Sequence, residues 1–175
     1  LPRGKAPRND KNNMNIQISD SWLREFIDTK ATPKQIGEYL SLCSQSVEKI
    51  IPDGKDFIYD IEITTNRPDC LSVYGIAREL SAILPRFNIP ASLICHSDQA
   101  ERVEESLDGL PLTVKITKPN LCPRFTGLIF DNITIKPSPD FVQKRLNQSG
   151  IRALNNVIDI SNYLMFTLGQ PIHMF

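Results

Sequence analysis

The stretch from Val157 to Leu168 is apolar on almost every side: Val157, Ile158, Ile160, Tyr163, Leu164, Met165, Phe166 and Leu168 leave no wide polar stripe. Gly169 and Pro171 follow at once, so the spacing predicts a helix that stops there, and a helix apolar all round is expected to be buried. Its polar residues Asp159, Ser161, Asn162 and Thr167 then need partners, because a buried polar group left unpaired costs ~1–3 kcal/mol. Asn162 is the most exacting of them, with two donors and an acceptor to satisfy.

Upstream, the text alternates between strand and helix patterns. Ile16 and Ile18 alternate with polar neighbours, as in a short strand. Ser19 or Asp20 can cap a helix whose Trp22, Leu23, Phe26 and Ile27 recur at helical spacing. Thr32-Pro33-Lys34-Gln35 reads as a capping box with Pro in the first turn, followed by the stripe Ile36, Tyr39, Leu40 and Cys43. A strand through Val47 and Ile51 ends at Pro52-Asp53-Gly54, and Phe57 to Thr65 forms the next, with Ile61 and Ile63 on one face. Asn66 can cap, and Pro68 can open, a helix running through Val73, Ile76, Ala77, Leu80 and Leu84. Further on, Leu112, Val114 and Ile116 alternate, and Arg124 to Ile135 reads as a long or bulged strand pair. Ser138-Pro139-Asp140 starts a helix that Gly150 stops.

These patterns divide the chain into a disordered leader or cloning remnant at 1–13, a helix/strand domain at 14–96, an acidic linker at 97–109 and a strand-rich segment at 110–175. The fold class is α+β. Twenty basic residues balance twenty acidic ones, so the charge signature of a nucleic-acid binder is missing at the level of the whole chain. Four cysteines at 43, 70, 95 and 122 lack zinc-knuckle spacing and read as reduced thiols of a cytoplasmic protein. No apolar run is long enough for a membrane span, and no phosphate-cradling glycine loop or nucleophile elbow is present. Two histidines do not make a metal site, and none is expected.

Asn162 and His173 lie 11 residues apart. The helix advances ~9 Å from Asn162 to Leu168, and the next five residues can span up to ~17 Å, so a turn at Gly169 can return His173 to Asn162. Arg152 lies just upstream of the same helix. Convergence would give a polar pocket in an apolar wall, the usual makeup of a small-ligand site. On spacing alone, three unrelated hydrogen-bonding residues remain the alternative.

The run GIRALNNVIDISNYLMFTLGQPIHMF at 150–175 strongly resembles the segment that opens the editing region of the phenylalanyl-tRNA synthetase β subunit. IEITTNRPDCLSVYGIAREL at 61–80, LCPRFTG at 121–127 and SWLRE at 21–25 are similar to the same subunit in the same order. The resemblance covers Met14 to Phe175. It implies a cytoplasmic α2β2 ligase that joins phenylalanine to tRNA(Phe) using ATP and Mg2+, with none of these cofactors expected on this chain. It also implies a B3/B4 region that hydrolyses misacylated Tyr-tRNA(Phe). A second site of this kind answers a physical limit, since an apolar pocket rejects an added hydroxyl by only ~100-fold.

Carried over by position, Arg152, Ser161 and Asn162 would bind substrate in that editing site, and His173 would orient water or the terminal ribose. The chain departs from the family in two respects. Family members commonly insert an oligonucleotide-binding domain before the EITTNRPDC strand, whereas ten residues separate Val47 from Ile58 here. The chain also stops at Phe175, before further editing residues, so the resemblance implies a fragment with an open pocket and no activity by itself. The competing reading is a non-catalytic module for assembly with the α subunit, or for binding an aromatic amino acid or tRNA.

Overall fold

The structure is a computed structural model that describes residues 14–94, 115–125, 127 and 129–174. Its centre is an antiparallel sheet of β1 (Met14–Ser19), β3 (Ser46–Asp53) and β4 (Asp56–Ile63), in the order β1-β4-β3. The period-2 patterns set the register. Ile16 faces Ile61 and Ile18 faces Tyr59, so the inward positions of both strands meet in one layer. The β3–β4 hairpin turns at Gly54, whose φ of 62° is the left-handed conformation that glycine tolerates.

Helix α2 (Pro33–Cys43) opens with the expected capping box: the Gln35 amide donates to Thr32 Oγ1 at 3.3 Å, and the Thr32 amide donates to Gln35 Oε1 at 2.9 Å. Helix α3 (Val73–Ile83) buries Val73, Ile76, Ala77 and Leu80. Its cap is Ser72, which accepts from the Gly75 amide at 3.0 Å, rather than Asn66. The residues between, Pro68–Cys70, form a 3₁₀ turn. Trp22, in the stripe read from sequence, is fully buried.

The helix expected through Phe26 and Ile27 is shorter. Helix α1 (Asp20–Leu23) ends early, and β2 (Ile27–Thr29) pairs antiparallel with β5 (Ala91–Leu93). Arg24 fixes the reversal by donating to Asp20 Oδ2 at 2.6 Å and to the carbonyls of Thr29 and Ala31. A pairing partner 66 residues away, Leu93 for Ile27, overrides the local helical spacing.

Contacts divide the chain into two compact units, 1–95 with 136–175, and 96–135. Helices α4 (Asp140–Gln148) and α5 (Asn156–Leu168) belong to the first unit: α4 lies against β1, and α5 lies against α3 and α4 with Tyr163 and Phe166 on the core. Tyr163 stacks on Trp22 with ring centroids 5.0 Å apart, and the Arg145 guanidinium lies over Trp22 at 5.4 Å. Arg145 also donates to the Tyr163 hydroxyl at 2.6 Å and pairs with Glu25.

In the second unit the described residues form no regular strand, so the strand pair expected at 124–135 is absent there. A strand exists only through a hydrogen-bonded neighbour, and no described residue forms a ladder with this stretch. Phe130, Ile133 and Ile135 accordingly stand exposed. The leader at 1–13, the linker at 97–109 and the alternating Leu112 and Val114 lie outside the described residues.

Candidate functional site

The first turn of α5 is held by three consecutive uses of the sequence NNVID. Asn155 caps the helix, its Oδ1 accepting from the amides of Val157 and Ile158 at 3.1 Å each. Asn156 clamps Lys136 from both sides: the Lys136 amide donates to Asn156 Oδ1 at 3.0 Å, and the Asn156 amide donates to the Lys136 carbonyl at 2.8 Å. Asp159 is 1% exposed and accepts from Ser138 Oγ at 2.5 Å and from the Leu154 amide at 2.8 Å.

The far end of α5 closes as predicted. Gly169 adopts φ 75° and its amide donates to the Met165 carbonyl at 2.8 Å. A Cβ on Gly169 would lie 3.2 Å from Ser72 Oγ, so the helix end sits directly against the cap of α3.

The candidate residues distribute along this frame. Arg152 is exposed on the connection between α4 and α5. Ser161 and Asn162 are neighbours on α5, both half-buried, and Ser161 Oγ donates to the Ile158 carbonyl at 2.7 Å. His173 is exposed beyond the Gly169 turn. Two open cavities lie elsewhere. One, of about 600 Å³, is lined by residues including Asp53, Asp140 and Lys144. The other, of about 370 Å³, is lined by residues including Arg24, Lys55 and Lys144. None of Arg152, Ser161, Asn162 and His173 lines either one.

The burial of α5 reverses the expectation. Asp159 and Thr167 are its buried residues, whereas Ile158, Ile160 and Leu168 are 41%, 49% and 55% exposed. Tyr163 and Phe166 pack on the core, and a helix docked along one side covers only one stripe. The carboxylate survives burial because two donors meet it. The opposite face is an open apolar surface carrying the Ser161 hydroxyl, with the half-buried Asn162 between it and the buried side. Apolar walls with a few polar groups are what small-ligand sites are made of.

A charged cluster under the Asn66-Arg67-Pro68-Asp69-Cys70 turn escaped the sequence reading. Arg67 donates to Asp69 Oδ1 at 3.0 Å and Cys70 Sγ at 3.2 Å, and it pairs with Glu79. Arg78 reaches Asp69 at 2.8 Å, and Ser44 donates to Glu79 at 2.7 Å. The Arg67 guanidinium pulls the Asp69 carboxyl down to about 2 and also lowers Glu79. Burial pushes the Cys70 thiol up to about 11. Ligand atoms of Asp69, Cys70 and Glu79 lie within 4.8 Å of one another, but Arg67 already supplies their positive charge. The helical i, i+3 spacing of Gly75, Arg78 and Ser72 gave no sign of this cluster, because its central arginine lies outside the helix.

With this geometry in place, sequence comparison defines the class. Residues 121–175 match the B3/4 domain family, so the chain carries B3/4 domain sequence that includes all four candidate residues. It is 35% identical to the phenylalanine–tRNA ligase beta subunit of Carboxydothermus hydrogenoformans over 133 residues, 75% of this chain and 15% of the relative. It is 33% identical to that of Rhodopirellula baltica over 159 residues, 90% of this chain and 22% of the relative. It is 42% identical to that of Thermotoga maritima over 119 residues, 67% of this chain and 14% of the relative. The chain is thus homologous, over most of its own length, to a segment of phenylalanine–tRNA ligase beta subunits, and it spans less than a quarter of these relatives' length. Among the described residues, no helix is long and apolar enough to cross a membrane.

Proposed function

We propose that this protein works as part of the β subunit of a cytoplasmic phenylalanine–tRNA ligase, assembled with an α subunit as α2β2, and that its B3/4 segment contributes to hydrolysis of Tyr-tRNA(Phe). The observation that carries the reading is the B3/4 match at 121–175, which contains Arg152, Ser161, Asn162 and His173 together. ATP and Mg2+ serve the attachment reaction of the whole enzyme and have no place on this chain. In editing, Asn162 holds the substrate backbone and Arg152 the pocket or acceptor end. His173 orients water or the terminal ribose. No covalent nucleophile is needed, in keeping with the lack of a nucleophile motif.

The test is His173→Ala in the enzyme that contains this chain, assembled with α. Deacylation of Tyr-tRNA(Phe) is expected to slow by ~100-fold, with phenylalanine activation unchanged. Undiminished deacylation removes His173 from the site. A second reading, a non-catalytic assembly or binding module, draws support from the open apolar face of α5. If the enzyme containing this chain, assembled with α, still deacylates Tyr-tRNA(Phe) at the wild-type rate with Arg152, Asn162 and His173 all replaced by alanine, the protein acts by assembly.

A further inference from the structure

We infer that Asp159 is the positioning residue of the site on α5, setting where Arg152 stands relative to Ser161 and Asn162. This deepens the editing reading and rests on it. Asp159 has no exposed surface through which to touch a substrate, being 1% exposed. Its two oxygens bind two segments that are not part of its helix. Oδ1 accepts from the Leu154 amide at 2.8 Å, two residues beyond Arg152, and Oδ2 accepts from Ser138 Oγ at 2.5 Å, just ahead of α4.

The connection bearing Arg152 has few other anchors. Its start is tied by the Ile151 amide donating to the Leu146 carbonyl at 2.9 Å, with Gly150 beside it at φ 77°. Its end is the Asn155 cap. Between them, the Leu154–Asp159 bond is what ties the backbone next to Arg152 to the body of α5. Ser161 and Asn162 sit on the same helix two and three residues past Asp159, so one carboxylate refers all three groups to a common frame.

Both partners donate to this side chain, so the position is best served by two acceptors. A carboxylate does so, whereas a carboxamide offers one acceptor and turns an NH₂ toward the Ser138 hydroxyl. The helix N-terminus favours the negative charge there. An asparagine therefore keeps the Leu154 bond but replaces the charge-assisted Ser138 bond by a weaker neutral one in which the hydroxyl accepts, which makes Asp159→Asn a graded perturbation.

The experiment compares Asp159→Asn, Ser138→Ala, Arg152→Ala and the double variant Asp159→Asn/Arg152→Ala in the enzyme containing this chain, assembled with α. Deacylation of Tyr-tRNA(Phe) and phenylalanine activation are measured for each. Asp159→Asn is expected to lower kcat of deacylation by ~10-fold through misplacement and to leave phenylalanine activation unchanged. The double variant is expected to be no slower than Arg152→Ala, since removing the positioned group leaves nothing to position. Loss of Arg152 alone with no effect on deacylation sinks the editing reading, and this inference with it. A slow Arg152→Ala beside an unimpaired Asp159→Asn, or fully multiplicative effects in the double variant, overturns the positioning role while leaving the editing reading standing. Amide exchange supplies a check that needs no activity. The Leu154 amide is expected to be protected in the wild type and in Asp159→Asn, and to exchange freely in Asp159→Ala; an unprotected wild-type amide overturns the proposal.

Discussion

Gly75→Ala puts a methyl group where the chain has no room, and the sign of its effect separates local propensity from tertiary packing. Gly75 lies in the first turn of α3, and an added Cβ would stand 1.8 Å from the Asp69 carbonyl oxygen, 2.9 Å from its carbon and 2.9 Å from Ser72 Oγ. Real Cβ contacts essentially never fall below 3.0 Å, so the oxygen must retreat by at least 1.2 Å, the difference of the two distances. Overpacking costs ~1–3 kcal/mol, and backbone as the obstacle places this site near the top, at about 3 kcal/mol. Alanine regains up to about 1 kcal/mol over glycine as a helix former, leaving a net loss of about 2 kcal/mol. For a chain of this size that lowers Tm by roughly 4–8 °C. Gly54→Ala is the control: φ is 62° but nothing lies within 4 Å, so only the backbone penalty of about 1 kcal/mol applies. Thermal melts followed by circular dichroism read both variants. A Gly75→Ala protein as stable as the wild type, or stabilised as helix propensity alone dictates, refutes the packing of the Asp69 turn against α3.

The same turn should respond to acid. Asp69, held down at about 2 by Arg67, and Glu79, lowered by the same guanidinium, contribute stability that is present above their unfolded values and lost as pH falls from about 4 toward 2. Arg67→Ala is expected to flatten the Tm profile in that window, and because Asp69 is 37% exposed, 1 M salt should shrink the effect as well. A wild-type profile as flat as the variant's contradicts the pairing. Cys70, buried and raised to about 11, should resist iodoacetamide at pH 8 under conditions that alkylate the exposed Cys43. Peptide mapping reads the two sites separately, and equal labelling refutes the burial of Cys70.

What the sequence revealed depended on whether a residue's partner was local. The Thr32 capping box was legible because both halves lie within four residues, and the hairpin around Gly54 was legible because a turn joins its strands. The ends of α4 and α5 announced themselves through Pro139, Gly150 and Gly169. Ile27 was misread because its partner, Leu93, is remote. The orientation of α5 was illegible for another reason. A helix apolar all round has no marked face, and remote partners, Trp22 stacked on Tyr163 and Ser138 bonded to Asp159, decide which side turns inward. The candidate residues came from spacing and from family resemblance, since periodicity alone gives a buried Asp159 and a half-buried Asn162 equal standing.

The hairpin between β3 and β4 has a further consequence. At its tip Asp53 and Asp56 are already paired across the ladder, so the two chain ends there stand side by side whatever joins them. Any folded module with neighbouring termini could be spliced between Gly54 and Lys55 without shifting a single sheet pairing. The thermodynamic charge would be loop closure alone, which rises by only ~0.6 kcal/mol for each doubling of length. The tip of this hairpin is thus a socket where added chain would leave the scaffold beneath it in register.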